Sequence, residues 1–172
     1  SGDALINIAE SHYRERDYAS CKKTLETLQS AINNQESGEQ KTRLQQAIWY
    51  RNGRLAVDQK QWDQCRVPFT NLIESATDTS MVHEARFWIA ETDYQTGNYR
   101  TSEEAFNLLI EVVCYRYTSW IYTARLRTCQ AIAAQERWKE AIHSAHTLLQ
   151  TFPDYPLEYL SLIHISEPTR PE

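Results

Sequence analysis

Glycine and proline are scarce, with four and five among 172 residues. Turn-dense sandwiches and barrels need more of both, and a phosphate-binding loop needs several glycines close together. No stretch approaches the ~18 uninterrupted apolar residues of a membrane-spanning helix. The formal net charge is −5, and no clustered basic surface of the kind that binds nucleic acid is evident. The four cysteines, at 21, 65, 114 and 129, form no C-x-x-C pair. That spacing argues against a zinc ribbon or a redox motif. Valine is sparse, while Ala, Leu, Gln, Glu and Arg are plentiful. The balance favours an all-α chain.

What is present is a repeat. Four segments align on a small residue: Ala9, Gly53, Ala90 and Cys129. Nine residues further on each has an aromatic: Tyr18, Trp62, Tyr99 and Trp138. Three residues later comes a small side chain: Cys21, Cys65, Ser102 and Ala141. Four more give Leu25, Phe69, Phe106 and Ala145. Apolar residues continue beyond these at helical spacing, as in Phe69, Leu72 and Ile73, or Phe106, Leu109 and Ile110. A small residue late in one helix and another early in the next lets two backbones approach closely. The aromatic beside the turn then fills the wedge. One such hairpin cannot bury its apolar face alone, so neighbours must stack.

The pattern predicts helices near 3–15, 18–33, 41–59, 62–74, 80–96, 99–113, 118–135 and 138–151. The loop between the first two hairpins is Asn33–Glu39, and the second loop is Ser75–Asp78, with Asp78, Thr79 and Ser80 as cap candidates. The third break lies near Cys114–Ser119. Pro68 is expected to kink a helix or to shift its start. Thr101 and Glu104 have the spacing of a capping box.

Ala90-x-x-x-Tyr94-x-x-Gly97-Asn98-Tyr99 and Trp138-Lys139-Glu140-Ala141, with Pro153 after the following helix, resemble the tetratricopeptide repeat family. The turn glycine of that family survives only as Gly97; Arg16, Lys60 and Glu136 stand in the other copies. The resemblance implies a right-handed α-solenoid of about four hairpins over residues 1–159. The repeats are 3–33, 41–74, 80–113 and 118–151, and a fifth begins at 156–159. Its lengthened copies are similar to bacterial envelope repeat proteins (Tol–Pal coordinators, outer-membrane assembly lipoproteins), which implies a periplasmic or cell-envelope location, with the cytoplasm as the alternative. Residues 160–172 are set apart. Leu160–Arg170 resembles the translation of a transposase sequencing adapter found at the ends of metagenomic reads. That implies a bacterial metagenomic fragment whose natural gene continues past Tyr159, and removes His164 from consideration as a ligand.

In the family the first helix of each hairpin lines a concave groove. Carried across by column, the resemblance places there Tyr50, Arg54 and Asp58; Phe87, Glu91 and Gln95; and Leu126 and Gln130. Aromatic and Arg side chains on such a face suit recognition of a protein or peptide. An ion pair between Arg54 and Glu91 is the bland alternative for that row. The basic clamp for chaperone C-terminal carboxylates is not reproduced, since Ile6 and Glu10 stand where it needs Lys and Asn. Cys21, Cys65 and Cys129 fall in small-residue columns and read as packing residues; all four cysteines are expected to be reduced. Glu140, His143 and His146 fan over about 120° of a helix at ~100° per residue, which reads as a solvated face and not a metal site. No H-E-x-x-H or G-x-S-x-G occurs. The expectation is a non-catalytic interaction scaffold without metal or cofactor. Its rivals are an accessory region of a larger enzyme and a structural spacer of an envelope protein.

Overall fold

The computed structural model describes residues 2–76, 80–112 and 118–153. Within them every regular element is an α-helix: α1 (Gly2–Arg14), α2 (Tyr18–Asn33), α3 (Glu39–Asp58), α4 (Trp62–Ser75), α5 (Ser80–Gln95), α6 (Tyr99–Val112), α7 (Thr118–Ala134) and α8 (Trp138–Thr151). No strand occurs among the described residues. The chain is all-α. Thr77–Thr79, Cys114, the expected hairpin start at 156–159 and the tail at 160–172 lie outside the described residues.

Four helix–turn–helix junctions have one geometry. Arg16, Lys60, Gly97 and Glu136 all adopt positive φ, at 60°, 56°, 83° and 61°. Each occupies the same column, seven residues after the small residue that opens its copy. Around each, two amides close the helix. The Arg16 amide donates to the Tyr13 carbonyl at 3.0 Å, and the Asp17 amide reaches back to His12 at 2.9 Å. The same pair recurs as Lys60 to Val57 and Gln61 to Ala56, as Gly97 to Tyr94 and Asn98 to Asp93, and as Glu136 to Ala133 and Arg137 to Ile132. This is a Schellman closure, with a left-handed residue satisfying the last carbonyls of the helix. The residue after it caps the next helix directly, and Asp17 does so with its side chain, accepting from the Ser20 amide at 3.0 Å. The chain therefore reverses in about three residues.

Short reversals press the paired helices together, and the small columns sit where they meet. Ala9, Ala90 and Cys129 are at most 1% exposed, as are Cys21, Cys65, Ser102 and Ala141. Gly53 is buried as well. A β-carbon on Gly53 would meet three ring carbons of Phe69, the farthest of them at 2.7 Å. Tyr18, Trp62, Tyr99 and Trp138 each open an even-numbered helix, and all four are half-buried.

The structure divides into two compact units, Ser1–Thr92 and Asp93–Glu172. In the first, α1 pairs with α2 and α3 with α4, while α1 and α2 both pack on α3. One core gathers Ala9, Leu25, Leu28, Ile32, Leu44, Ile48 and Leu55; a second joins Cys65, Phe69 and Leu72 to Ala85 of α5. In the second unit, α7 packs against α6 and α8. Its core includes Tyr122, Leu126, Cys129 and Leu148.

One local expectation is corrected. Thr101 lies inside α6, which begins at Tyr99, so it caps nothing; Glu104 instead pairs with Arg100 at 3.2 Å. Pro68 leaves the start of α4 unshifted and sits inside a helix that runs to Ser75. It cannot donate to the Gln64 carbonyl four residues back. That missing bond falls beside an open cleft of about 380 Å³ whose lining includes Gln64, Val67, Pro68 and Trp49.

Candidate functional site

The densest polar arrangement lies in the first unit, on the first helices of successive copies. Helix α3 contributes Tyr50, Arg51, Arg54 and Asp58. Tyr50, Arg54 and Asp58 lie four residues apart and share one face, with Arg51 beside them, three residues before Arg54. Helix α1 adds Glu10 and Tyr13, and α5 adds Glu84 and Trp88 at i, i+4.

Glu84 is the hub. One carboxylate oxygen accepts from the Tyr50 hydroxyl at 2.7 Å. The other accepts from the Trp88 indole at 3.1 Å and from the Arg54 guanidinium. Arg54 also stands 3.8 Å from Asp58 and 4.9 Å above the Trp88 ring. Asp58 accepts from the Tyr13 hydroxyl at 2.6 Å. Arg51 pairs with Glu10 and lies 4.0 Å from the centre of the Tyr13 ring. Three helices are thereby tied by charge-assisted bonds and stacked cations.

Burial sets the electrostatics of this face. It pushes the Tyr13 hydroxyl up to about 12, helped by the bond to Asp58. It raises the Tyr50 hydroxyl as well, with Glu84 adding to the effect. Both phenols stay protonated and act as donors near neutral pH. Two arginines face three carboxylates, and every charged group named has an opposite partner. One donor is left over: the Arg54 Nε is buried with no hydrogen-bond partner. The arrangement can hold a shape and present half-buried rings. It supplies no nucleophile with an adjacent base.

Of the residues assigned by column, Tyr50, Arg54 and Asp58 come together in this network. Arg54 pairs with Glu84 and Asp58, not with Glu91. Phe87 is 7% exposed and packs edge-on to Trp88 at 5.2 Å. Glu91 is 4% exposed. Gln95, Leu126 and Gln130 belong to the second unit. There Gln95 is exposed at the end of α5, Leu126 is buried, and Gln130 accepts from Arg127 at 2.7 Å. Column reasoning missed Glu10, Tyr13, Arg51, Glu84 and Trp88. It stepped 37 residues from Tyr50 to Phe87, whereas the side chain that meets Tyr50 stands 34 residues on. The partner across a helix interface lies one turn before the column equivalent. A search for charge complements one turn either side of each column would have found Glu84.

The second unit has a smaller polar cluster. Glu103 of α6 accepts from Gln135 at 2.8 Å and from Arg137 at 2.6 Å. Arg137 also grips Glu140 at 2.5 Å, and its hydrogen bond holds that carboxyl below the usual range. His143 and His146 are exposed. No group of His, Cys, Asp and Glu suited to a metal occurs among the described residues. Cys21, Cys65 and Cys129 are free and buried. Burial raises all three thiols, Cys21 to about 11, which leaves them weak nucleophiles. No described helix is long and apolar enough to cross a membrane. In comparison with known proteins, no family model, no curated protein and no solved structure matches the chain.

Proposed function

We propose that this chain is a right-handed solenoid of four tetratricopeptide-like hairpins that works as a non-catalytic scaffold, with a protein or peptide partner lying along its first helices. The observation that carries the reading is the fourfold recurrence of one helix–turn–helix junction, at Arg16, Lys60, Gly97 and Glu136. Equal junctions put equivalent helices on the same side, so that α1, α3 and α5 offer one continuous face. On that face the half-buried rings of Tyr13, Tyr50 and Trp88 and the half-buried Arg54 side chain supply the aromatic and Arg chemistry of recognition surfaces.

Recovery of partners from a bacterial envelope extract tests this. Wild type, Trp88→Ala, Arg54→Ala and Lys23→Ala on the exposed face of α2 serve as baits. Trp88→Ala and Arg54→Ala should lose a partner that wild type and Lys23→Ala retain, at equal helicity. Equal recovery by all four would overturn the reading. A structural spacer is the second reading, and one observation favours it: the charges of Glu10, Arg51, Arg54, Asp58 and Glu84 are already matched within the chain.

A further inference from the structure

The cleft beside Pro68 is a separate place from the network around Glu84. At ~100° per residue, Asn52 and Gln59 lie on the side of α3 opposite Tyr50, and both line the cleft. Helix α2 contributes Lys22 and Glu26 to it, and α4 contributes Gln64, Pro68 and Asn71. Its volume of about 380 Å³ is toward the lower end of the range for small-molecule sites.

The two places differ in how their polar groups are used. In the network, Glu10, Arg51, Arg54, Asp58 and Glu84 all have partners within the chain. In the cleft, the side-chain amides of Asn52, Gln59, Gln61, Gln64 and Asn71 make no hydrogen bond with another described residue. Lys22 and Glu26 have no ion-pair partner among the described residues either. Pro68 adds a backbone acceptor, because it has no N–H for the Gln64 carbonyl. Half-buried Trp49 and exposed Val67 supply apolar surface to the same lining.

This lining selects a ligand class. One Lys and one Glu cancel, so a charged ligand gains little. Each carboxamide presents a donor and an acceptor side by side, and so do neighbouring hydroxyls on a sugar ring. The C–H faces of that ring are apolar and suit an indole. A nucleobase carries its polar groups on one edge, whereas these amides are spread over α3, the α3–α4 turn and α4. A peptide has one N–H and one C=O per residue, too few for five amides in so small a space. We propose that the cleft binds a short neutral oligosaccharide, with Trp49 against a ring face and the amides and the Gln64 carbonyl on its hydroxyls. Sugar and amides both give up water to meet, so the Kd is on the order of 1 mM.

NMR titration of the isotope-labelled full chain with maltose, cellobiose, lactose and diacetylchitobiose tests this, since side-chain amides and indole N–H groups give their own signals. At least one sugar should shift the Trp49 indole and the Asn52 and Gln64 amides saturably and leave the Trp88 indole in place. Gln59→Ala and Gln64→Ala should each weaken that sugar by about three- to tenfold, at unchanged helicity; Lys23→Ala, outside the lining, should not. Unmoved cleft signals with every sugar overturn the proposal. So do shifts confined to Trp88 and its neighbours, or wild-type affinity in both Gln variants. A tighter response of the same signals to adenosine or to trialanine overturns it as well.

Discussion

Gly53 owes its identity to Phe69, whose ring occupies the space a β-carbon would need. The first copy solves the same contact differently, with Ala9 and Leu25 in one core. Methyl and ring volumes are traded between two columns so that their sum fits the gap. Gly53→Ala should therefore lower stability by about 1–3 kcal/mol through overpacking. Gly53→Ala combined with Phe69→Leu, which recreates the pairing of the first copy, should recover part of that loss. Thermal melts of the three proteins decide the matter; a Gly53→Ala protein as stable as wild type would refute the packing account. The cysteines follow the same logic. Ser102 and Ala141 fill the column that Cys21 and Cys65 fill elsewhere, and all four are completely buried. Size is what the column selects, and the thiol is incidental.

Each junction needs a left-handed residue, yet only one copy supplies glycine. Arg16, Lys60 and Glu136 hold a conformation in which a β-carbon crowds the following carbonyl. Nothing packs within 4 Å of the β-carbon position at Gly97, where the same turn is made with glycine. Arg16→Gly and Lys60→Gly should each stabilise the protein by up to about 1 kcal/mol, the relief being partly offset by the greater freedom of glycine in the unfolded chain. Gly97→Ala should cost a similar amount. Chemical denaturation reads all three, and a destabilised Lys60→Gly would contradict the conformation assigned to that turn. At this scale most of the structure was legible. The helix limits expected from columns and periodicity fall within about two residues of those observed, because a small–aromatic–small pattern marks both ends of a tight turn. Thr101 misled because the spacing of a capping box also occurs inside a helix. The Glu84 hub was not legible, since column identity says which face a residue occupies and not which turn of the next helix it meets.

For the whole molecule, the fold class follows from what repeats, whereas the polar face follows from what differs. One contact between copies does recur in register, Arg51 over Tyr13 and Arg127 over Tyr94. Asp58 and Trp88 have no residue of their type in the same column of another copy, so the rest of the network is built from its own residues. That is why the helical framework could be read from one chain and the surface chemistry could not. The framework rests on four junctions of the same backbone form, and solution NMR reaches them directly. Three-bond amide–Hα couplings and Cα and Cβ shifts report φ at Arg16, Lys60, Gly97 and Glu136, and hydrogen exchange reports the amides of Asp17, Gln61, Asn98 and Arg137. The account predicts positive φ at all four residues and slowed exchange at all four amides. A negative φ at Arg16, Lys60 or Glu136 would break the equivalence of the copies and contradict it.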